Sequence, residues 1–371
     1  MKHIPLMDLQ RQVAGMRDEL DAAMRGVIDT TSYILGPALA AFEADFARYC
    51  GIRHCIGVAT GLDALRLSLE ICGIGRGDEV ILPANTFIAT ALAVTKSGAT
   101  PVLVDADPAT DLINLEQVRK CINKKTRVLM PVHLYGRLAD MDAVQALAAE
   151  FGLRVIEDAA QAHGAERGGK KAGTHGITGC FSFYPGKNLG AFGDGGAITT
   201  QDDALAEKLR AHRNYGSSKK YYHQTCGENS RLDTLQAAIL GVKLKHLDTW
   251  NEKRRGWAQE YHKRLSSVKG LVLPGLVTDK SHVHHIFPVK VAPEQRDPLL
   301  THLQSQGIGA SIHYPLPIHQ QEAYKNTPLA GGRFPVTEDH SRRMISLPMF
   351  PELTHEELEY ICKTVIDFLK P

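Results

Sequence analysis

The sequence predicts an α/β protein with a large domain built on a mostly parallel sheet and a smaller α+β domain at its C-terminal end. Three observations lead there. From about residue 57 to 200, short apolar runs alternate with amphipathic helical stretches, the pattern of a sheet covered on both faces. The pattern then changes to one long helical stretch followed by a smaller mixed series. The length, 371 residues, exceeds what a single hydrophobic core usually organises.

Taken in order, the apolar runs that predict strands are 79–82, 101–104, 127–130, 154–156, 180–183 and 197–200. Each is short and bounded by turn-forming or polar residues, as buried strands are. Between them, 63–71, 115–122 and 140–151 carry apolar residues at helical spacing. Residues 231–268, rich in Leu, Ala, Lys and Glu, predict one long helix. After it come a strand at 286–291, a helix at 294–306, an extended piece at 309–314 and a terminal helix at 356–369. Tyr314-Pro315-Leu316-Pro317 predicts an ordered loop, because proline fixes an extended backbone. The expected division is 1–245 for the large domain, its N-terminal helix included, and 246–371 for the small one.

Composition narrows the function classes. Hydrophobic residues make up 43% and charged residues 23%, which fits a globular protein and excludes a disordered chain. The 43 basic and 41 acidic residues leave a net charge of +2, so electrostatics gives no reason to expect nucleic acid or an anionic membrane as partner. The N-terminal residues show no secretory signal pattern and no stretch is an uninterrupted apolar span. The expected location is the cytoplasm. Seven scattered cysteines without a CxxC pair predict reduced packing residues, with neither a disulfide framework nor a metal site.

The residues able to carry chemistry concentrate between Val155 and Ala197. Glu157-Asp158-Ala159-Ala160-Gln161-Ala162-His163-Gly164 follows one predicted strand, and Phe181-Ser182-Phe183-Tyr184-Pro185-Gly186-Lys187-Asn188-Leu189-Gly190 spans another. Carboxyl ends of parallel strands are where ligand-binding groups collect. Lys187 sits among glycines and apolar residues, a setting in which an amine loses its proton easily and suits carbonyl chemistry. Alone, Lys187 reads more readily as a surface lysine after a Pro-Gly turn, and Asp158 can be a helix cap or a structural hydrogen-bond acceptor.

Together, Asp158-Ala159-Ala160-Gln161 and Ser182-Phe183-Tyr184-Pro185-Gly186-Lys187-Asn188 resemble the active-site signature of the DegT/DnrJ/EryC/StrS sugar aminotransferases. The resemblance extends to Thr60-Gly61-Leu62-Asp63-Ala64-Leu65, Pro83-Ala84-Asn85-Thr86-Phe87, Pro131-Val132-His133-Leu134-Tyr135-Gly136, Asn214-Tyr215-Gly216-Ser217, Asn229-Ser230-Arg231 and Ile312-His313-Tyr314-Pro315. It covers nearly the whole chain in order. It implies the fold type I, aspartate-aminotransferase-like architecture and a pyridoxal 5'-phosphate cofactor.

By that resemblance, Lys187 bonds the cofactor and moves the substrate proton, and Asp158 faces the pyridine nitrogen and keeps it protonated. Gln161 meets the cofactor's phenolic oxygen. Thr60, Gly61, Leu62 and Ser182 hold its phosphate, at a helix start whose free N–H groups favour a dianion. Phe87 stacks on the ring, and Asn229 reaches the phosphate of a neighbouring subunit, which implies a homodimer with shared active sites. His163, Tyr184, Arg231, His313, Tyr314 and His319 are the expected substrate side. Leu62 stands where many members have a hydroxyl residue, which leaves more to Thr60 and the backbone. His284 stands where many have tyrosine.

The implied reaction takes nitrogen from L-glutamate, releases 2-oxoglutarate, and aminates a nucleotide-linked keto sugar. The motifs look most like members acting on C3 of dTDP-3-keto-6-deoxyhexoses, whose amino-sugar products serve surface polysaccharides or glycosylated metabolites. A 4-keto or UDP-linked substrate is the alternative. Dehydratase relatives replace the lysine with histidine, and a non-catalytic regulator has no need of Lys187, Asp158, Gln161 and Ser182 together.

Overall fold

A computed structural model describes residues 3–370. Helices α1 (Leu9–Ala14), α2 (Arg17–Thr30) and α3 (Pro37–Cys50) precede β1 (His54–Val58) and α4 (Gly61–Ile71). Then follow β2 (Glu79–Pro83), α5 (Ile88–Lys96), β3 (Thr100–Val104), α6 (Leu115–Cys121), β4 (Thr126–Leu129), α7 (Met141–Phe151) and β5 (Arg154–Asp158). A short hairpin of β6 (Glu166–Arg167) and β7 (Lys170–Lys171) leads to β8 (Thr178–Ser182), β9 (Gly196–Thr200) and α8 (Asp203–His212). A second hairpin, β10 (Ser217–Lys219) and β11 (Tyr222–His223), precedes α9 (Thr234–Leu244) and α10 (Leu247–Leu265). The chain ends with β12 (Phe287–Lys290), α11 (Pro293–Ser305), α12 (Pro335–Arg343), β13 (Met344–Leu347) and α13 (His355–Leu369).

Seven strands form the main sheet in the order β1-β9-β8-β5-β4-β2-β3. β3, β2, β4, β5 and β8 run parallel, and β9 pairs antiparallel with both β8 and β1. Alternate side chains sort to opposite faces, as strand geometry requires. Ile81, Leu129, Val155, Phe181 and Ala197 pack in one core, and Val80, Leu82, Val128, Ile156, Cys180 and Ile198 in the other. All six expected strands are present. β1 escapes a periodicity reading because His54-Cys55-Ile56-Gly57-Val58 is buried on both faces and so does not alternate.

The long helix expected over 231–268 is two helices. At Lys245 and His246 the backbone N–H groups bond three residues back, to Val242 and Lys243, at 3.3 and 3.1 Å. That tightened turn separates α9, which packs on α2 and α3, from α10, which packs on α13. Beyond the break a third core forms around Tyr261, Phe287, Leu303, Ile345 and Ile361, with β12 and β13 paired antiparallel. The N-terminal segment, which the expected division assigns to the large domain, joins this third core through Ile4. Its N–H donates to Gly307 O at 2.9 Å and its carbonyl accepts from Gly309 N at 2.7 Å.

Among the described residues no helix is long and apolar enough to cross a membrane. The described cysteines are all free thiols.

Candidate active site

The carboxyl ends of β5 and β8 and the start of α4 open into one cleft of about 750 Å³. Its position follows from topology: the loops leaving parallel strands collect on one edge of the sheet. Lys187, Asp158, Thr60, Gly61, Ser182 and Gln161 all line it. Their chain positions span more than a hundred residues, and the sheet order brings them together.

Asp158 ends β5 and is buried. Its Oδ2 accepts a hydrogen bond from the Thr90 hydroxyl at 2.8 Å and its Oδ1 one from Ala160 N at 3.2 Å. Burial pushes its pKa up, while the Thr90 and Ala160 bonds and nearby Lys187 oppose that rise. Lys187 follows the turn closed by its own N–H on Tyr184 O at 2.8 Å. Burial lowers the Lys187 amine from its ordinary 10.5 to about 8, and Asp158 holds it from falling further. Such an amine is neutral for a useful fraction of the time near neutral pH.

Thr60 caps α4: its hydroxyl oxygen accepts from Asp63 N at 3.0 Å. The N–H groups of Gly61 and Leu62 open the helix and have no acceptor within it, so they are available to an anion together with the helix dipole. The helix start is pressed against Ser182, since a β-carbon on Gly61 would lie 2.6 Å from Ser182 Cβ. A phosphate seated there meets hydroxyl and backbone donors at once.

This donor set fits a pyridine ring bearing a phosphate. The chain offers a neutralisable amine, a buried carboxylate for a protonated ring nitrogen, and a helix start for the dianion. A family model described as the DegT/DnrJ/EryC1/StrS aminotransferase family matches residues 15–366.

The chain belongs to that family. It is an aminotransferase, and its cofactor is pyridoxal phosphate. The chain is 48% identical over 350 residues to a dTDP-3-amino-3,4,6-trideoxy-alpha-D-glucose transaminase of Streptomyces venezuelae, covering 94% of this chain and 92% of that one. It is 44% identical to a UDP-N-acetyl-3-dehydro-alpha-D-glucosamine 3-aminotransferase of Acidithiobacillus ferrooxidans, with 98% of this chain and 97% of that one covered. The crystal structure of Streptomyces venezuelae DesV with a ketimine intermediate superimposes with a TM-score of 0.97 at 46% identity, covering 100% of both chains.

The other expected site residues of this aminotransferase divide into two groups. Phe87, half exposed, lines the cleft with its ring 5.4 Å from that of Tyr314. Gln161 Nε2 donates to the Tyr314 hydroxyl at 3.2 Å and its Oε1 accepts from Tyr135 N at 2.7 Å. Tyr184, Tyr314, His313 and Leu62 also line the cleft. His313 Nδ1 lies 2.9 Å from Ser346 Oγ, and burial lowers the imidazole pKa to about 4.

The second group does not line the cleft of its own chain. The His163 ring packs 5.4 Å from Phe181 and 5.8 Å from Phe183, and burial drives its pKa to about 3. Its ring lies in the core, while Ala160 and Gln161 on the same turn line the cleft. His319 Nε2 lies 3.1 Å from Glu338 Oε1. Arg231 donates to Asn214 Oδ1 at 2.8 Å and stacks 5.5 Å over Tyr215. Asn229 is exposed and forms an isolated bridge with Asn214.

Three cleft residues carried no sequence signal. Thr90 sits on α5, far in sequence from the Asp158 it contacts. His285 lines the cleft with Nδ1 3.1 Å from Asn188 Oδ1. Met7 lies on the N-terminal segment, its sulfur 3.3 Å from where a β-carbon of Gly186 would be. Local periodicity reports none of these, because each contact joins separate elements.

Away from the cleft, Glu70, His212 and Glu228 place possible metal-ligand atoms together. Arg66 already bonds both carboxylates, so the cluster is charge-paired within the protein.

Proposed function

We propose that the protein is a sugar-nucleotide aminotransferase that moves the amino group of L-glutamate to C3 of a dTDP-linked 3-keto-6-deoxyhexose. The products are 2-oxoglutarate and the dTDP-3-amino-3,6-dideoxyhexose. The observation that carries the reading is the grouping of Lys187, Asp158 and the α4 start at one end of a cleft of about 750 Å³, large enough for a sugar beside the cofactor. The reading of C3 draws its support from relatives whose names specify 3-amino or 3-dehydro sugars.

When bound, pyridoxal phosphate supplies an electron sink and carries the amino group between the two halves of the reaction. The residues do the rest. Lys187 Nζ, neutral in about half of the molecules at pH 8, takes the proton from the donor's α-carbon and in the second half delivers one to the sugar carbon. Asp158 presents a fixed negative charge to the ring nitrogen. Gly61, Leu62 and Ser182 would hold the phosphate, and Gln161, clamped at both ends of its amide, would donate to the phenolic oxygen. Asn229, exposed on its own chain, completes the phosphate site of a second copy in a homodimer.

A UDP-linked 3-keto sugar is the second reading, favoured by the similarity to the Acidithiobacillus enzyme. A panel of dTDP- and UDP-linked 3-keto and 4-keto sugars tests both, with the aminated carbon located by NMR. Amination of dTDP-3-keto-6-deoxyhexose at C3 is the expected result. Turnover confined to UDP sugars, or an amine at C4, overturns the preferred substrate.

A further inference from the structure

We infer that Thr90, backed by Thr86, is a positioning residue that fixes the orientation and charge of Asp158 toward the cofactor ring. The geometry is a chain of three buried side chains. Thr86 Oγ1 lies 2.9 Å from Thr90 Oγ1, and Thr90 Oγ1 lies 2.8 Å from Asp158 Oδ2. Thr90 is fully buried and Thr86 nearly so.

The direction of the bonds follows from counting protons. Asp158 as a carboxylate only accepts, so Thr90 donates its one hydroxyl hydrogen to it. Thr90 Oγ1 then has only lone pairs for Thr86, which must donate. Each bond polarises the next, and in a buried site such chains strengthen one another.

The place of Thr90 on the helix explains the arrangement. Thr90 lies in the first turn of α5, where the residue four before it, Thr86, precedes the helix. Its hydroxyl therefore bonds across to Asp158 on β5, whereas Thr95, later in α5, bonds back to Ala91 O at 3.1 Å. Burial raises the Asp158 pKa, and the Thr90 bond is the largest influence opposing it. Without that bond the carboxylate becomes a stronger base and also loses one of its two fixed contacts. The proton shared with the ring nitrogen then shifts toward Asp158, and the ring withdraws electrons less well.

The test uses the cofactor-loaded enzyme with 15N at the ring nitrogen, in wild type, Thr90→Val and Thr90→Ser. Valine keeps the shape and removes the hydroxyl. The expected result for Thr90→Val is a 15N resonance moved toward that of neutral pyridine. The glutamate half-reaction should slow by about tenfold to a hundredfold, the range of one hydrogen bond to a charged group, with KM for glutamate little changed. Thr90→Ser should restore both readouts. A valine variant with the wild-type resonance and rate overturns the inference and leaves Thr90 a packing residue. If Thr90→Val does not fold, Thr86→Val must still shift the same resonance in the same direction by a smaller amount, and no shift there overturns it equally.

Discussion

Gln161 and Tyr314 are joined across the cleft: the side-chain amide donates to the phenol at 3.2 Å, while the amide oxygen is held by Tyr135 N at 2.7 Å. One residue comes from the turn after β5 and the other from the C-terminal unit, so the bond ties the two together at the wall of the cleft. Tyr314→Phe leaves one N–H of Gln161 without its partner. Stability should fall by about 1 kcal/mol, read from denaturant unfolding, and cofactor affinity should weaken in parallel. Unchanged values for both would mean that Tyr135 alone fixes Gln161.

Lys187 sets a pH dependence. Burial lowers its pKa to about 8, so the neutral amine grows as pH rises through that value. Capture of pyridoxal phosphate by cofactor-free protein, followed by visible absorbance, should quicken with pH and level off above about 8. The folded pKa lies below the ordinary 10.5, so the folded state releases its proton first, and the cost of burying a cation is relieved as pH climbs from 8 toward 10.5. A capture rate flat across pH 6.5–9 would refute the assignment.

Asp158→Asn keeps the size and removes the charge. Cofactor should still bind, while the glutamate half-reaction slows by about a hundredfold to a thousandfold, as when a preorganised electrostatic group is lost. The same change removes the anion that supports the Lys187 cation, so the pH at which cofactor capture levels off should move down. Comparing the two pH profiles separates these effects from a folding defect.

Gly61→Ala inserts a β-carbon 2.6 Å from Ser182 Cβ. Relief requires movement of the α4 start or of β8, at a cost of about 1–3 kcal/mol by the usual penalty of overpacking. The phosphate seat moves with it, so the Kd for cofactor should rise more than melting alone explains. Equilibrium dialysis and a thermal melt on the same sample decide the point.

The proposed sharing of active sites in a dimer makes a distinct prediction. Lys187→Ala should be inactive alone and Asn229→Ala weakly active alone. Mixed and reassembled, they form hybrid dimers in which one site has both native residues, and activity should exceed the sum of the separate samples. No gain on mixing, with dimers verified by ultracentrifugation, would place Asn229 outside the neighbouring site.

Much of this fold was legible along the chain. The strand runs at 79–82 and 101–104 are apolar because both sheet faces are covered, and burial of that kind leaves its mark within a few residues. The helix expected over 231–268 failed at 245–246, because a break whose halves pack on different partners carries no Gly or Pro to announce it. His163 shows the corresponding limit for the site. Its neighbours Asp158 and Gln161 line the cleft, yet the turn directs its ring between Phe181 and Phe183, and no spacing rule distinguishes the two directions.

The sequence by itself determined the alternation of strands and helices and the family resemblance, and through that resemblance it nominated Lys187 and Asp158 as the chemical pair. Periodicity and motif spacing are local, and these features are written locally. Only the tertiary structure decided that Thr90 meets Asp158, that Met7 covers Gly186, and that Gln161 is clamped between Tyr135 and Tyr314. Those contacts depend on how α5, the N-terminal segment and the C-terminal unit dock on the sheet. Docking is settled by the packing of whole faces, which no short stretch of the chain encodes.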